Sequence, residues 1–182
     1  MAISGRHALG QLGVTLIVRD VEAAADFYRD VLGAREIQRN YAFHPGGPRT
    51  DQAVSAEMEL GGAYLVVASE NTRFGEAPRS GWPRSPTSAG GATACLAIYV
   101  DDVDDVFTRA IAAGASPQVE NHFPEDTFWG DRIAQLHDPF GHVWRIQTKI
   151  EDVDENELGA RFLAVREAYR ARRGATPKPP TR

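Results

Sequence analysis

The sequence contains one pattern twice, about eighty residues apart: an apolar run, an aspartate, an amphipathic helix and a glycine. Val14 to Val18 precede Asp20 in the first copy, and Leu96 to Val100 precede Asp102 in the second. After each aspartate, apolar residues recur at i, i+3, i+4, i+7 and i+8, the spacing of one helix face. They are Ala24, Phe27, Tyr28, Val31 and Leu32, and Val103, Val106, Phe107, Ala110 and Ile111. The duplication predicts two equivalent modules whose helices are N-capped by the aspartates.

The chain divides around this duplication into two modules, each of one strand, one helix and three further strands (βαβββ). The predicted segments are a lead-in at 1–11, the first module at 12–70, a linker at 71–91, the second module at 92–148, a C-terminal helix at 149–173 and a disordered tail at 174–182. The later strands are predicted at 35–41, 53–60, 63–69, 93–100, 116–119, 132–137 and 142–148. The fold class is therefore α+β.

Charge and composition limit the possible partners. The net charge of −5 and pI near 5.5 disfavour nucleic acid, because binding to it depends on phosphate neutralisation by Lys and Arg. No apolar run approaches the length of a membrane span, and the N-terminus lacks the apolar core of a signal peptide. A single cysteine, Cys95, excludes an intrachain disulfide. We expect a cytoplasmic protein without nucleic-acid or membrane partners.

Three motifs resemble those of a known family. They are the hairpin Asp138-Pro-Phe-Gly-His-x-Trp144, the sequence Trp129-Gly-Asp-Arg132, and the first helix from Asp20 through Phe27-Tyr28 to Leu32-Gly-Ala. With the duplication, over residues 12–153, they resemble the vicinal oxygen chelate superfamily of glyoxalases, extradiol dioxygenases, and fosfomycin- and bleomycin-resistance proteins. The resemblance implies two βαβββ modules in one chain whose curled sheets face each other across a ligand cavity. It is specific for the fold and not for an activity.

The same resemblance identifies four positions where a divalent metal would be bound. Many members use one residue on the first strand and one on the last strand of each module. These positions fall on Gly13, Val66, Cys95 and Arg145. Gly13 and Val66 have no donor atom and Arg145 would repel a cation, so the set does not suit a metal. We therefore predict neither a metal nor another cofactor.

Other donor pairs keep an atypical metal site open as an alternative. Glu57 with Glu59, and Glu120 with His122, are spaced i, i+2, which places both side chains on one face of a strand. Against this, the first pair is predicted to face away from the pocket, and the second lies in a predicted loop.

Strand alternation separates the residues that face the predicted pocket from those that pack on the helices. The pocket face is expected to be mostly apolar with one cation. Its members, with the residues expected near its mouth, are Thr15, Ile17, Tyr41, Tyr64, Val66, Cys95, Tyr99, Phe128, Trp129, Arg132 and Arg145. An aromatic hollow of this kind suits a small organic ligand. For several of these residues a core-filling role stays open, Cys95 is predicted to be buried, and Trp144 is assigned to the core.

Two arginines need partners in this arrangement. Arg145 projects from the last strand into the predicted pocket, where an unpaired charge is costly. We expect it to pair with an acid such as Glu59 or Asp131, and the alternative is an anionic ligand such as a carboxylate, phosphonate or phenolate. Arg132 is predicted to pair with Asp131 or Asp138 near the hairpin turn.

These features favour a metal-free protein that binds a small aromatic or amphipathic compound, similar to the bleomycin-resistance members of the family. One alternative is an isomerase or lyase without a metal, which would use Arg145, Tyr99 or an acid near Asp131. The other is a lyase or dioxygenase with an atypical metal site. The apolar face of the last helix also indicates a homodimer. This face contains Leu158, Phe162, Val165 and Tyr169.

Overall fold

The first helix begins at the aspartate that the sequence pattern identifies. The structure is a computed structural model, and it describes residues 13–71, 81–119 and 123–175. Strand β1 (Gly13–Val18) is followed by helix α1 (Val21–Asp30), and the Asp20 side chain accepts a hydrogen bond from the Ala23 amide at 3.0 Å. The predicted N-cap is confirmed. The predicted lead-in, residues 72–80 of the predicted linker and residues 176–182 of the predicted tail lie outside the described residues.

Three more strands complete the first sheet: β2 (Arg35–Phe43), β3 (Arg49–Leu60) and β4 (Ala63–Ser69). The strand order is β1-β4-β3-β2, with β1 parallel to β4 and the other pairs antiparallel. The β2–β3 hairpin is longer at its tip than predicted. There the Arg49 guanidinium lies 4.3 Å from the centre of the Tyr41 ring, a cation–π contact across the two strands.

The second module follows a short helix, α2 (Pro86–Ala89), inside the predicted linker. Its elements are β5 (Cys95–Tyr99), α3 (Val103–Ala112), β6 (Ser116–Pro117), β7 (Glu125–Asp126), β8 (Asp131–His137) and β9 (Val143–Lys149). The sheet order β5-β9-β8-β6, with β7 also paired to β8, matches that of the first sheet. Asp102 caps α3 by accepting from the amides of Asp104 at 2.9 Å and Asp105 at 3.0 Å. The predicted duplication is therefore present in three dimensions.

The last helix, α4 (Glu155–Ala175), leaves most of its side chains exposed. Phe162, Leu163 and Val165 are 44%, 54% and 53% exposed. The Phe162 ring contacts Phe128 at a centroid distance of 5.3 Å, which connects the helix to the loop before β8. Within the described ranges, no helix combines the length and the apolar character that a bilayer crossing requires.

The two modules share one hydrophobic core, in which α1 packs on the first sheet and α3 on the second. The buried face of each strand is the one opposite the predicted pocket face, as with Leu16, Met58 and Ile146. Helix α3 also contacts α1 directly, because Nη1 of Arg109 donates to the carbonyl oxygens of Asp30 and Val31 at 2.9 and 2.7 Å. The helical sides of both modules are thus joined into one unit.

The Asp138 carboxylate connects the modules at the centre of this core. It is 4% exposed, and its Oδ2 accepts from the Tyr28 hydroxyl at 2.7 Å and from Nε1 of Trp144 at 2.9 Å. Its Oδ1 accepts from the amides of Phe140 and His142, both at 2.9 Å. Burial, and then the Asp138 charge, raise the pKa of Tyr28 well above its ordinary value. Tyr28 comes from α1 and the other partners from the β8–β9 hairpin, so one carboxylate fixes both modules.

We predict that Asp138→Asn lowers the free energy of unfolding by about 3 kcal/mol. Whichever way the asparagine amide is turned, its NH₂ group would face buried N–H donors, either the Phe140 and His142 amides or Nε1 of Trp144, and those hydrogen bonds would be lost. Urea denaturation would measure the effect. Asp51→Asn is the control, because Asp51 is exposed on β3. An equal, small change in both variants would contradict the role of Asp138.

Candidate functional site

A groove with a volume of about 590 Å³ lies between the first residues of β1 and β4 and the strand β5. Most of its lining surface is apolar. The apolar lining residues include Val14, Leu60, Leu65, Leu96, Ile98 and Trp144. Tyr64 from β4 and Cys95, Ala97 and Tyr99 from β5 also line it. The groove is therefore bordered by both modules, and every β5 residue takes part.

The residues predicted to form the pocket are only partly brought together. Tyr64, Cys95 and Tyr99 line the groove. Thr15, Ile17 and Val66 lie on the same face of the first sheet as Tyr64, outside the groove lining. Arg145 lies on the face of the second sheet that carries Ala97. Tyr41 lies on the β2–β3 hairpin, Phe128 and Trp129 lie beside α4, and Arg132 lies on the opposite face of β8.

The pocket face of the first sheet is more polar than predicted. Glu57 pairs with Val66 across β3 and β4, so it points to that face and not away from it. Asn40 donates to Glu57 at 3.4 Å and to Ser55 at 3.1 Å, and Gln38 donates to Asn40 at 2.5 Å. Burial, followed by hydrogen bonding to Glu57, raises the pKa of Tyr64. The expectation of an apolar face with one cation is corrected by this network.

Gly13 accommodates the ring of Tyr64. A Cβ atom at Gly13 would lie 3.1 Å from Cδ1 of Tyr64, closer than most Cβ contacts. The tyrosine ring therefore occupies space next to the position where the family resemblance would place a metal-binding side chain. This observation agrees with the donor chemistry: Gly13 and Val66 cannot coordinate, and Arg145 is cationic. The residues at the four family positions do not fit a divalent ion.

No other group of donors replaces that set within the described part of the chain. Groups of three or more His, Cys, Asp or Glu side chains arranged to hold a metal are absent there. Glu59 is used by an ion pair with Arg35 at 3.3 Å and by the Gly62 amide at 3.0 Å. Glu120 and His122, the other pair considered, lie outside the described residues.

A buried carboxylate supports the β5 end of the groove. Asp131 is 4% exposed, and its Oδ2 accepts from the Tyr99 hydroxyl at 3.1 Å and from Nε1 of Trp129 at 2.9 Å. The hydrogen bond to Asp131 raises the pKa of Tyr99, which keeps its hydroxyl protonated. Nζ of Lys149 lies 3.7 Å from Oδ1. The Trp-Gly-Asp-Arg sequence therefore positions a tyrosine that lines the groove.

Arg145 pairs with a neutral side chain, which corrects the expectation of an acid partner. When the Gln135 amide is oriented with its oxygen toward the guanidinium, that oxygen accepts from Nη2 at 2.7 Å and from Nε at 2.9 Å. The Gln135 NH₂ group then donates to Gln118. Asp131 is engaged by Tyr99 and Trp129, and Glu59 lies on the other sheet.

Arg132 also pairs differently from the prediction. It contacts Asp104 at 2.7 Å and Asp126 at 2.7 Å, and not Asp131 or Asp138. Strand alternation places Arg132 on the face opposite Asp131, toward the first turn of α3. The hydrogen bond from Arg132 lowers the pKa of Asp104. Arg132 thus connects β8 to α3 and is remote from the groove.

The two remaining expectations for this region have opposite outcomes. Cys95 is exposed and lines the groove, so the prediction of a buried thiol is wrong. It points to the open face of β5, because Leu96 and Ile98 point to the core. Trp144 is 2% exposed and packs on Tyr28 at a centroid distance of 5.6 Å, so its assignment to the core is confirmed.

Comparison with known proteins identifies the family. Residues 9–146 match the model of the Glyoxalase/Bleomycin resistance protein/Dioxygenase superfamily. The chain belongs to this superfamily. It is also 31% identical over 160 residues to the uncharacterized protein Mb0911c of Mycobacterium bovis, covering 88% of this chain and 95% of that one. The uncharacterized protein Rv0887c of Mycobacterium tuberculosis is equally similar, with 85% of its length covered.

Solved structures show the same fold. TioX from Micromonospora sp. ML1 is 27% identical, with a TM-score of 0.52 over 76% of this chain and 98% of TioX. A glyoxalase/bleomycin resistance protein/dioxygenase family enzyme from Burkholderia phytofirmans is 24% identical, with a TM-score of 0.54 over 75% and 96%. The fosfomycin resistance protein FosX from Listeria monocytogenes, solved with Mn(II) and sulfate, is 14% identical, with a TM-score of 0.50 over 78% and 93%.

The donor set predicts that the purified protein does not retain a divalent metal. Untagged protein should contain substoichiometric Mn, Fe and Zn in elemental analysis, and added Mn²⁺ should leave its melting temperature unchanged, because binding to the native state alone would raise it. One ion per chain that survives dialysis would contradict this prediction.

Proposed function

We propose that the protein binds a small organic molecule in the groove between its modules, in the cytoplasm and without a metal ion. The observation that supports this proposal most directly is the groove itself, which has a largely apolar lining and few polar groups. Such concave, mostly apolar sites are typical of small-molecule binding. The groove volume of about 590 Å³ is within the range of ligand pockets.

The contacts along the groove support a ligand with an aromatic or amphipathic body. Val14, Leu60 and Leu96 offer apolar surface, and Tyr64 and Tyr99 offer rings with a polar end. The Tyr99 hydroxyl donates to Asp131, so its oxygen is left to accept from a ligand. A ligand could therefore bury its apolar part while a polar group at one end is hydrogen-bonded.

A variant that fills the groove tests this proposal. A hit from a library of small aromatic compounds should raise the melting temperature by roughly 5 °C when it is present at about 100 times its Kd. Ala97→Trp should abolish that shift, because Ala97 lines the groove. Gln52→Trp on exposed β3 is the matched control and should retain it. No stabilising compound, or equal shifts in both variants, would contradict binding at this site.

One observation favours a second candidate, a metal-independent isomerase or lyase. Tyr99 contacts the buried Asp131, and its hydroxyl stays protonated. If the Tyr99 hydroxyl turns from Asp131 to a substrate, it can polarise a carbonyl oxygen or donate a proton to it. Proton NMR of a bound compound in D₂O would separate this candidate from plain binding, since exchange or conversion catalysed by wild type and lost in Tyr99→Phe indicates an enzyme.

The homodimer predicted from the sequence is proposed to form through α4. A helix is stabilised mainly by packing its apolar face, and Phe162 and Val165 on this face are largely exposed. The helix has five arginines against three glutamates, whereas the whole chain has a net charge of −5. A second copy is therefore acidic outside its own α4, and the charge of this helix is complementary to that part of it. Phe128 continues the apolar face toward the second sheet.

Glutamates on the apolar face of α4 should weaken the dimer. Phe162→Glu combined with Val165→Glu should raise the dimer dissociation constant by about tenfold or more, because burying each carboxylate is unfavourable. Ala160→Glu, on the opposite face of the helix, is the control. Sedimentation velocity over a concentration series would measure the shift. A monomeric wild type would contradict the dimer, and equal behaviour of both variants would exclude α4 as the interface.

A further inference from the structure

The charge of Arg145 is not neutralised by a carboxylate. Other partly buried arginines pair with acids: Arg39 on β2 contacts Glu36 and Asp26 at 2.6 and 3.2 Å, and also Glu22. Across the described ranges, Arg145 forms no such ion pair, and its guanidinium is held by the neutral Gln135. A half-buried cation with a neutral partner carries an unpaired charge. Such a guanidinium can bind an anion without first breaking an ion pair.

The guanidinium is nevertheless held in a defined orientation. Gln118 accepts from Gln135, whose oxygen accepts from Nη2 and Nε of Arg145. An arginine has five N–H donors, and these contacts use one edge of the group. The Nη1 side therefore remains available to a ligand. Because the amide chain restricts the rotamer in advance, less conformational entropy is lost when an anion binds.

Arg145 is the cross-strand neighbour of a residue that lines the groove. It pairs with Ala97 across β5 and β9, and paired residues of neighbouring strands point to the same face about 5 Å apart. Ala97 lines the groove, and its small methyl group leaves the guanidinium accessible from it. Tyr99 lies two residues further along the same face. A ligand in the groove can thus reach the guanidinium over Ala97 and the tyrosine hydroxyl beside it.

We infer that the ligand is an organic acid whose carboxylate binds Arg145 while its apolar body lies in the groove. This inference rests on the proposed binding function. A planar carboxylate matches the planar guanidinium and forms charge-assisted hydrogen bonds to it. The net charge of −5 does not prevent this, because at physiological salt charges further away than about 8 Å are largely screened.

Matched pairs of acid and amide test the ligand class. We would measure the affinity of 2-naphthoate and 2-naphthamide, and of benzoate and benzamide, by calorimetry. Wild type should bind the acid of a pair about tenfold or more tightly than the amide, because only the acid forms charge-assisted bonds. Arg145→Gln should remove this preference and retain amide binding. Added salt should weaken binding of the acid more than binding of the amide.

The controls separate the ligand class from the binding function. Arg29→Gln removes an exposed cation on α1 and should retain the preference for the acid. Arg145→Lys should keep part of the preference for the acid, since lysine retains the positive charge but not the planar guanidinium group. If wild type binds acid and amide equally, or if Arg145→Gln keeps the preference, the ligand class is wrong although the groove binds. If wild type binds neither member of either pair, and no other acid–amide pair from the compound library binds, the proposed function fails and this inference fails with it.

Discussion

The buried carboxylate of Asp138 is the interaction on which the arrangement of the two modules depends. Its four hydrogen bonds come from α1 and from the β8–β9 hairpin, elements more than one hundred residues apart along the chain. A buried charge is tolerated only when its lone pairs are satisfied, so the hairpin and the helix must meet in this one geometry. As a result, the faces of both sheets that pack on the helices form a common core. The groove lies where the first residues of β1 and β4 approach β5, and its lining takes side chains from both faces of β5.

Because one face of each sheet packs on the core, polar side chains collect on the opposite face. Glu57, Asp131 and Arg145 all project from the sheet face opposite the core. On that face Asn40 and Gln135 contact Glu57 and Arg145 from the neighbouring strand. Asp131 is contacted by Trp129 from the turn before β8 and by Tyr99 from β5, two strands away. These cross-strand partners restrict rotamers before any ligand arrives, which is the condition for selective binding. The apolar lining of the groove gives a ligand contact area, and the polar side chains on the open faces of the sheets fix its orientation.

Local periodic signals predicted the fold, whereas the partners of charged groups could not be predicted from them. The helix caps Asp20 and Asp102, the assignment of Trp144 to the core and the duplicated order of elements all follow from spacing along the chain. The contacts of Arg132 with Asp104 depend on where α3 lies against β8, which spacing does not encode. The Gln135 partner of Arg145 was accessible in principle. Counting outward from the turn after Asp138 pairs Gln135 with Arg145, whereas the prediction of an acid partner rested on the charge of the guanidinium alone.

The replacement of metal-binding residues by Gly13, Val66 and Arg145 changes how such a site would respond to its surroundings. A metal site depends on deprotonated donors and so loses its ion as pH falls. A guanidinium stays protonated at every ordinary pH, so it presents the same charge throughout. The ionisation of the ligand would then set the pH dependence of binding, and the protein would contribute shape and orientation. Because Tyr64 packs over Gly13, introducing one metal-binding side chain at Gly13 would displace that ring before it could coordinate.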